Sequence, residues 1–390
     1  MKTKYFLFFA AVLSFAACNA QRPAQTAPTA NAQGIRPVAP PMAPKNIILL
    51  IGDGMGTSQI YGGMIGNKNF LELERFKHLG FIKTYAFDNL ITDSGAGATA
   101  FSIGKKAYNN AIGVGPDTLA YETILESAAA AGKHTGIVAT CAVTHATPAS
   151  FVAHVPHREM HEEIAWEYVH SPLQLFIGGG RQYFNQRKDG RDLLAELRMR
   201  GFHTLQKEED LESLDPTYKM AALLWEDAAP EKHKGRNDIL PRATSLAINR
   251  LAAHEKGFFL MVEGSQIDWG GHANETDYIV QEMIDFDRAI GRALDFAEKD
   301  GQTLVIVTAD HETGGFAING GDRMKGEVKG AFTTGKHTAV MVPVFAYGPG
   351  AEMFTGIQEN TDIYAHMMAV WNLKPSKKPV HWSKVKRATN

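Results

Sequence analysis

Acidic, imidazole and hydroxyl side chains follow four apolar runs that have the length of buried strands. The runs and the groups that follow them are Asn46–Ile51 with Asp53, Gly136–Thr140 with His145 and Thr147, Phe258–Val262 with Glu263, and Thr303–Thr308 with Asp310 and His311. In open parallel sheets, ligands bind beyond the carboxyl ends of the strands. Carboxylates collected there are costly unless a cation neutralises them. The pattern therefore predicts a metal site at one edge of a parallel sheet.

Two ligand pairs have the chemistry of zinc sites. Asp268 and His272 are four residues apart, so on a helical turn they share a face and can bind one ion. Oxygen and imidazole ligands suit Zn²⁺. The adjacent Asp310 and His311 supply the same ligand types for a second ion.

A third group offers only oxygen atoms, which favours Mg²⁺. Its members are Asp53, Thr147 and Glu263. Each signal alone has an ordinary alternative: an aspartate at a strand end often caps a turn, and a lone histidine is often a surface group. Their joint placement favours metal binding.

The stretch Thr92–Phe101 contains a candidate nucleophile, Ser94. Small residues after Ser94 allow a helix to begin there and pack closely, and free backbone N–H groups at a helix N-terminus attract phosphate. The alternative is that Thr92, Asp93 or Ser94 only caps the helix. No histidine within the motif forms a serine–histidine relay, so a metal ion would have to activate the hydroxyl.

Arg158 is a candidate phosphate ligand. Its planar, permanently charged fork matches the non-bridging oxygens of a phosphoryl group. The alternative is a surface arginine on the following helix.

Apolar runs that alternate with helical patterns set the fold class. A fifth run spans Val340–Ala346, and residues from Ile279 to Ala297 recur on one helical face before Gly301. Helices are also expected over Tyr121–Ala131 and Thr361–Trp371. This order predicts an α/β three-layer sandwich with a large, mainly parallel central sheet and helices on both faces. Residues 159–240 are more polar and are not assigned, and residues 44–390 are expected to form a single catalytic domain.

The N-terminus has the pattern of an export signal. Lys2 and Lys4 precede a short apolar run, so residues 1–17 are interpreted as a signal peptide, with the lipoprotein type favoured. Cys18 would then carry a lipid anchor, and the alternative is cleavage after Ala20. Residues 18–43 have the composition of a flexible tether. The expected location is periplasmic and membrane-anchored.

The bulk composition limits the partners. The formal net charge is −2, so no basic surplus indicates a nucleic acid partner. With Cys18 and Cys141 as the two cysteines, an intramolecular disulfide is not expected.

The motifs together resemble the alkaline phosphatase family, in the family's order and over about residues 45 to 347. The matching blocks are Gly52–Gly56, Thr92–Ala100, Gly104–Asn109, His145–Pro148, Ala153–His154 with Arg158, Glu263–His272, Thr308–His311 and Lys336–Thr338. The resemblance implies an alkaline phosphatase-like fold. It also implies hydrolysis of small-molecule phosphate monoesters through a phosphoserine at Ser94, with Zn²⁺ in two sites and Mg²⁺ in one.

The resemblance also implies the role of each site residue. A first zinc would be bound by Asp268, His272 and His337, a second by Asp53, Asp310, His311 and the Ser94 oxygen, and magnesium by Asp53, Thr147 and Glu263, with Arg158 on the phosphate. His337 rests on the resemblance alone, because a lone histidine before a strand carries no signal.

Two positions depart from the best-known bacterial branch of the family, which has Asp and Lys where this chain has His145 and Trp269. His145 favours a water-mediated contact with the third ion, or a different ion. Trp269 would lie near the phosphate in place of a cation. The short stretch between His311 and His337 leaves little room for the accessory subdomain that larger members insert there, which weakens the inference of a homodimer, and the oligomeric state stays open. A phosphodiesterase of the same superfamily and a non-catalytic phosphate-binding lipoprotein are the other functions considered.

Overall fold

The computed structural model describes residues 43–213, 215, 217–376 and 378–387. The expected signal peptide, the lipidation site at Cys18 and the tether up to residue 42 lie outside the described residues. Among those that are described, no helix has both the length and the apolar character that a membrane crossing requires.

Sixteen strands occur in the described chain. They are β1 Asn46–Gly52, β2 His78–Lys83, β3 Leu119–Ala120, β4 His134–Ala142, β5 Leu175–Gly179, β6 Phe202–Leu205, β7 Lys219–Leu223, β8 Phe258–Gly264, β9 Thr303–Thr308, β10 Glu312–Thr313, β11 Ala317–Asp322, β12 Glu327–Ala331, β13 His337–Thr338, β14 Val342–Tyr347, β15 Gly356–Glu359 and β16 Val380–His381.

Eleven α-helices occur in the same residues. They are α1 Thr57–Gly66, α2 Ser94–Ile103, α3 Ile124–Ala130, α4 Ala146–Ala149, α5 His161–His170, α6 Gln182–Asn185, α7 Leu193–Met199, α8 Ile239–Ala252, α9 Gln266–Ala273, α10 Thr276–Asp300 and α11 Thr361–Val370. Short 3-10 helices are Glu72–Arg75, Glu208–Asp210, Lys232–Lys234, Ala351–Phe354 and Trp382–Arg387.

Ten of the strands form one sheet in the order β15-β2-β14-β9-β1-β8-β4-β5-β7-β6. Neighbouring strands run parallel except where β14 pairs with β2 and β9. Helices surround this sheet, which confirms the predicted α/β class. The residues of β1 from Ile47 to Ile51 have no exposed surface, as expected for a strand covered on both faces.

The predicted elements are largely present. Helix α10 continues to Asp300, and Gly301 follows it in the left-handed conformation at φ +68, where glycine carries no steric cost. The run at 340–346 is the antiparallel strand β14. The unassigned segment 159–240 supplies β5, β6 and β7 at one end of the sheet. These strands have only four or five residues, and β6 and β7 include polar ones, so no long apolar run marks them.

The topology brings four strand ends together. Strands β9, β1, β8 and β4 are consecutive neighbours and parallel, with Ile51 opposite both Glu263 and Thr308. Their carboxyl ends therefore meet at one edge. The segments that follow these strands carry the predicted site residues.

Candidate metal and phosphate site

Three carboxylates meet at the carboxyl edge of the sheet. Asp53 follows β1, Glu263 lies near the end of β8 and Asp310 follows β9, and all three have no exposed surface. Buried carboxylates are stable only when they are paired, hydrogen-bonded or bound to a cation.

Asp268, His272 and His337 form the first ligand group, whose ligand atoms all lie within 4.8 Å of one another. Helix α9 places Asp268 and His272 four residues apart, with 3.3 Å between Asp268 Oδ2 and His272 Nε2. His337 Nε2 lies 3.5 Å from Asp268 Oδ1 and 3.2 Å from His272 Nε2. The three side chains therefore point their ligand atoms at a common point.

A two-stranded sheet positions His337. Strands β10 and β13 pair antiparallel with Thr313 opposite His337, which connects this histidine to the segment after β9. The far side of each ring contacts a carbonyl: His337 Nδ1 lies 2.9 Å from the Thr92 oxygen, and His272 Nδ1 lies 2.9 Å from the Gly335 oxygen. A carbonyl only accepts, so both Nδ1 atoms carry protons. The two Nε2 lone pairs then face each other and need a proton or a cation between them.

Asp53, Asp310 and His311 form the second ligand group, also within 4.8 Å. His311 Nε2 lies 3.3 Å from Asp310 Oδ2 and 3.5 Å from Asp53 Oδ1. The Ser94 hydroxyl oxygen lies 3.3 Å from the same Nε2 atom. The second group thus contacts the candidate nucleophile.

Oxygen atoms of Asp53, Thr147 and Glu263 make up the third group. The Thr147 hydroxyl donates to Asp53 Oδ2 at 3.3 Å. Cys141, a buried thiol on β4, donates to Glu263 Oε2 at 3.2 Å. The group shares Asp53 with the second ligand group, so the two sites are adjacent.

The site fits cations, because several buried acceptor atoms are unsatisfied. Asp53 Oδ1, Asp310 Oδ2 and Glu263 Oε1 are buried and have no hydrogen-bond partner within the described part of the chain. Such groups are rare in folded proteins and point to an ion or a water. Imidazole and carboxylate donors in the first two groups are the ligands that Zn²⁺ prefers, and the oxygens of the third suit Mg²⁺.

The pKa shifts show the same need for positive charge. Burial, with repulsion from Asp310 and other acids, raises the pKa of Asp53 well above its usual range. Burial, with repulsion from Asp268, raises the pKa of Asp310 to about 8, and burial raises that of Glu263 to about 7. The hydrogen bond to Asp268 raises the pKa of His272 to about 9. The buried acids therefore hold protons when no cation is bound, and a bound cation would remove the repulsion that raises the carboxylate pKa values.

Ser94 is the first residue of α2. The cap of this helix is Asp93, whose carboxylate accepts from the Ala96 N–H at 2.9 Å, so capping does not engage the Ser94 hydroxyl. A Cβ atom on Gly97 would lie 3.0 Å from the Asp310 Cβ, which explains why small residues are needed where α2 approaches the site. The helix N-terminus and the second ligand group thus meet at Ser94.

Arg158 is held beside the same helix end. Its Nη1 donates to Asp93 Oδ2 at 3.0 Å, and its Nη2 donates to His145 Nε2 at 3.3 Å. Burial lowers the pKa of Arg158, but Asp93 and the other acids outweigh it, so the pKa is raised and the charge is kept. The guanidinium is therefore a fixed cation next to Ser94.

His145 is a buried, neutral histidine beside Arg158. Because its Nε2 accepts from Arg158, its Nδ1 carries the proton, and this atom is buried without a hydrogen-bond partner among the residues described. Burial, with the Arg158 charge, lowers the pKa of His145 to about 3, so the ring is neutral. The partly buried Trp269 packs edge-on against this ring, with 6.1 Å between the ring centres.

Comparison with known proteins identifies the family. The alkaline phosphatase family model matches residues 44–331 and 321–373. Alkaline phosphatase 4 of Bacillus subtilis is 35% identical over an alignment of 403 positions. The alignment covers 82% of this chain and 87% of the relative. The chain belongs to the alkaline phosphatase family. It is accordingly a phosphomonoesterase, and the family is metal-dependent.

Other alkaline phosphatases agree with this family assignment. The Escherichia coli enzyme is 31% identical over 407 residues, covering 85% of this chain and 86% of the relative. The structure of alkaline phosphatase from the Antarctic bacterium TAB5 is 47% identical, with a TM-score of 0.82, and covers 86% of this chain and 99% of that one. A structure of a histidine-to-aspartate mutant of the TAB5 enzyme has Mg bound in its M3 site. The resemblance read from the sequence is confirmed.

Several residues that support the site of this alkaline phosphatase were missed by sequence reasoning. They are Cys141 behind Glu263, the carbonyl groups of Thr92 and Gly335, and the Thr313 hydroxyl. Asp93 was among the capping residues considered, and it is the cap of α2. A hydroxyl two residues after His311 was visible in the sequence. Its direction, however, depends on the pairing of β10 with β13, which links segments 24 or more residues apart.

Proposed function

We propose that this alkaline phosphatase hydrolyses its substrates through a phosphoserine at Ser94, in a site that holds two Zn²⁺ and one Mg²⁺. The observation that carries the proposal is the 3.3 Å contact between the Ser94 hydroxyl and His311 Nε2, at a helix N-terminus and beside the first and second ligand groups. The domain that does this would be residues 44–390. We further propose that the domain is exported and anchored through Cys18, on the N-terminal sequence pattern.

The donor types support one assignment of ions. Asp268, His272 and His337 would bind the first Zn²⁺. Asp53, Asp310, His311 and the Ser94 oxygen would bind the second. Asp53, Thr147 and Glu263 would bind Mg²⁺.

His145 would contact the third ion through a water. Its proton-bearing Nδ1 can donate to a water ligand, but it cannot bind a cation directly. The Mg bound in the TAB5 mutant, in which an aspartate replaces a histidine, is consistent with this view of such a position.

The side chains of this chain support an in-line transfer. When bound, the cations would stabilise negative charge on the entering and departing oxygens. Arg158 would bind two non-bridging oxygens with its fork, and Trp269 would contact the substrate beside it. The Ser94 oxygen would form a bond to phosphorus as the ester P–O bond breaks, and the hydroxyl proton would reach the departing alcohol through solvent. Water would then attack phosphorus, releasing inorganic phosphate and restoring the Ser94 hydroxyl.

The test is phosphate release from an aryl phosphate by the ion-loaded full chain. Ser94→Ala should lose nearly all turnover, as removal of a covalent nucleophile does, while keeping its bound ions. Ser102→Ala is the matched control, because Ser102 lies on the same helix and its hydroxyl donates to the Thr99 carbonyl. Acid-quenched wild type should carry one phosphoryl group by intact mass. Comparable turnover in Ser94→Ala would overturn the proposal.

A bis-aryl phosphate distinguishes the phosphodiesterase alternative. A monoesterase should cleave the monoester far faster, because a monoester offers three non-bridging oxygens to the cations and Arg158, whereas a diester carries a second aryl group in place of one of them. Faster turnover of the diester would favour the alternative.

A further inference from the structure

We infer that the hydroxyl of Thr313 couples the two zinc-type ligand groups, by fixing His311 in the tautomer that can bind a cation while it supports Asp268 as a carboxylate ligand. The inference rests on the proposed two-ion site and assigns Thr313 as a positioning residue.

One hydroxyl contacts both ligand groups. Thr313 has no exposed surface, and its Oγ1 donates a hydrogen bond to Asp268 Oδ1. The same oxygen lies 3.2 Å from His311 Nδ1. Asp268 belongs to the first ligand group and His311 to the second, so the Thr313 hydroxyl is a direct bridge between them.

The Thr313 hydroxyl can donate to only one of its two partners, because it has a single proton. A carboxylate at Asp268 can only accept, so the Thr313 proton points to it, and the hydroxyl oxygen accepts from His311 Nδ1–H. His311 Nε2 is then unprotonated, and it faces the Ser94 oxygen and Asp310 Oδ2 at 3.3 Å and Asp53 Oδ1 at 3.5 Å. In the other tautomer, His311 Nδ1 and Asp268 would compete for one proton. The carboxylate of one group therefore selects the liganding tautomer of the other.

The backbone holds the Thr313 hydroxyl in place. The Thr313 N–H donates to the Gly54 carbonyl at 3.2 Å, and the Thr313 carbonyl accepts from Gln59 Nε2 at 2.8 Å. Space around it is tight, since a Cβ atom on Gly54 would lie 2.8 Å from Oγ1, and one on Gly271 would lie 2.8 Å from the Thr313 Cβ. With the residue fixed on both sides, the hydroxyl keeps its position between Asp268 and His311.

The first experiment examines the wild type in its metal-free form, prepared by chelation. The ¹⁵N chemical shifts of the His311 ring distinguish the two tautomers directly. We expect the Nδ1–H form. A ring that carries its proton on Nε2 would overturn the inference without any variant being made.

The second experiment titrates the metal-free full chain with Zn²⁺ and measures bound ions and affinities by calorimetry. Thr313→Val removes the hydroxyl and should weaken Zn²⁺ binding at both groups by about 10- to 100-fold, the usual effect of losing a group that orients a metal ligand. Thr313→Ser restores the hydroxyl and should recover the affinity.

Thr308→Val is the control for loss of a buried hydroxyl, because Thr308 donates to the Pro343 carbonyl and not to a ligand group. It should bind Zn²⁺ like the wild type. If Thr313→Val binds Zn²⁺ at both groups with wild-type affinity, the role of Thr313 is overturned, while the two-ion site is not affected. A wild type that binds no Zn²⁺ would instead overturn the two-ion site, and the inference with it.

Discussion

The Nε2 atoms of His272 and His337 lie 3.2 Å apart, and each ring is held from behind by a backbone carbonyl. The carbonyl groups fix the protons on Nδ1, so the two facing nitrogens offer lone pairs to the same point. A positive charge between the two nitrogens therefore stabilises the pair, and an Asp268 oxygen supplies the third ligand atom. Its stability should depend on what occupies that point.

Removal of metal ions should lower the melting temperature of the full chain. Chelation leaves the carboxyl groups of Asp53, Glu263 and Asp310 buried close to one another without a counter-charge. Restoring Zn²⁺ at about 100 times its Kd should stabilise the fold by about 2.7 kcal/mol for each site. Calorimetric melts with and without chelator measure this.

In His337→Ala, Zn²⁺ should raise the melting temperature less than it does in the wild type. His203→Ala is the control, because His203 is exposed and stacks on Tyr218. A melting temperature that is unchanged by the chelator would contradict the prediction.

The metal-free protein should lose stability as pH rises from about 4 to about 8. The folded-state pKa values of Asp310 and Glu263 are raised to about 8 and about 7, from ordinary values near 3.8 and 4.5. In this window the folded chain keeps protons that the unfolded chain has released, so unfolding becomes easier with pH. The raised pKa of His272, about 9, acts in the same direction, because its stabilising charge is lost as pH rises.

The ion-loaded protein should show the opposite trend, because metal binding needs these carboxylates deprotonated. Urea unfolding of both forms at pH 5 and pH 8 gives the four free energies required. Parallel trends in the two forms would argue against ion binding by these groups.

His145→Asp should strengthen Mg²⁺ binding about tenfold or more. The change replaces a proton-bearing nitrogen with an anionic oxygen, which is the ligand type that Mg²⁺ prefers. Calorimetric titration of the Zn²⁺-loaded protein with Mg²⁺ provides the measurement. His145→Asn, with an uncharged oxygen, should give an intermediate gain, and equal affinity in all three proteins would disprove a role for this position.

Arg158→Lys should weaken inorganic phosphate binding about tenfold while Zn²⁺ binding persists. The guanidinium uses a planar fork that Asp93 and His145 hold in place, and an ammonium group cannot reproduce it. Phosphate inhibition constants of the loaded enzyme measure the loss. An unchanged constant would mean that Arg158 has no contact with the bound anion.

His154→Gln should destabilise the fold by about 3 kcal/mol at pH 6, the usual cost of breaking a buried charge pair. His154 is buried, with 3.4 Å from its ring nitrogens to carboxylate oxygens of Glu126 and Glu167. Burial lowers its pKa, but the two glutamates outweigh burial and raise it to about 10. The stabilisation should therefore be complete below about pH 6.5 and disappear as pH passes about 10. Denaturant unfolding of both proteins at pH 6 and pH 10 tests this, and an equal loss at both would contradict it.

The sequence by itself determined the fold class and named most of the candidate ligands that the structure brings together. Continuous apolar runs marked β1, β4, β8 and β9, and the residues that follow them had to meet at one edge because parallel strands in one sheet share a direction. Asp268 and His272 were paired by helical spacing alone, which α9 satisfies. These features are local, so periodicity and spacing reveal them.

Only the tertiary structure decided the rest. The short strands β5, β6 and β7 are fixed by pairing with their neighbours, because each has only four or five residues and none forms a long apolar run. His337 enters the site because β13 pairs with β10, and His145 keeps its proton on Nδ1 because Arg158 donates to its other nitrogen. The pairing of β10 with β13 also places Thr313 between the two ligand groups. Hydrogen-bond direction and strand pairing join residues that are distant in sequence, and no local pattern encodes them.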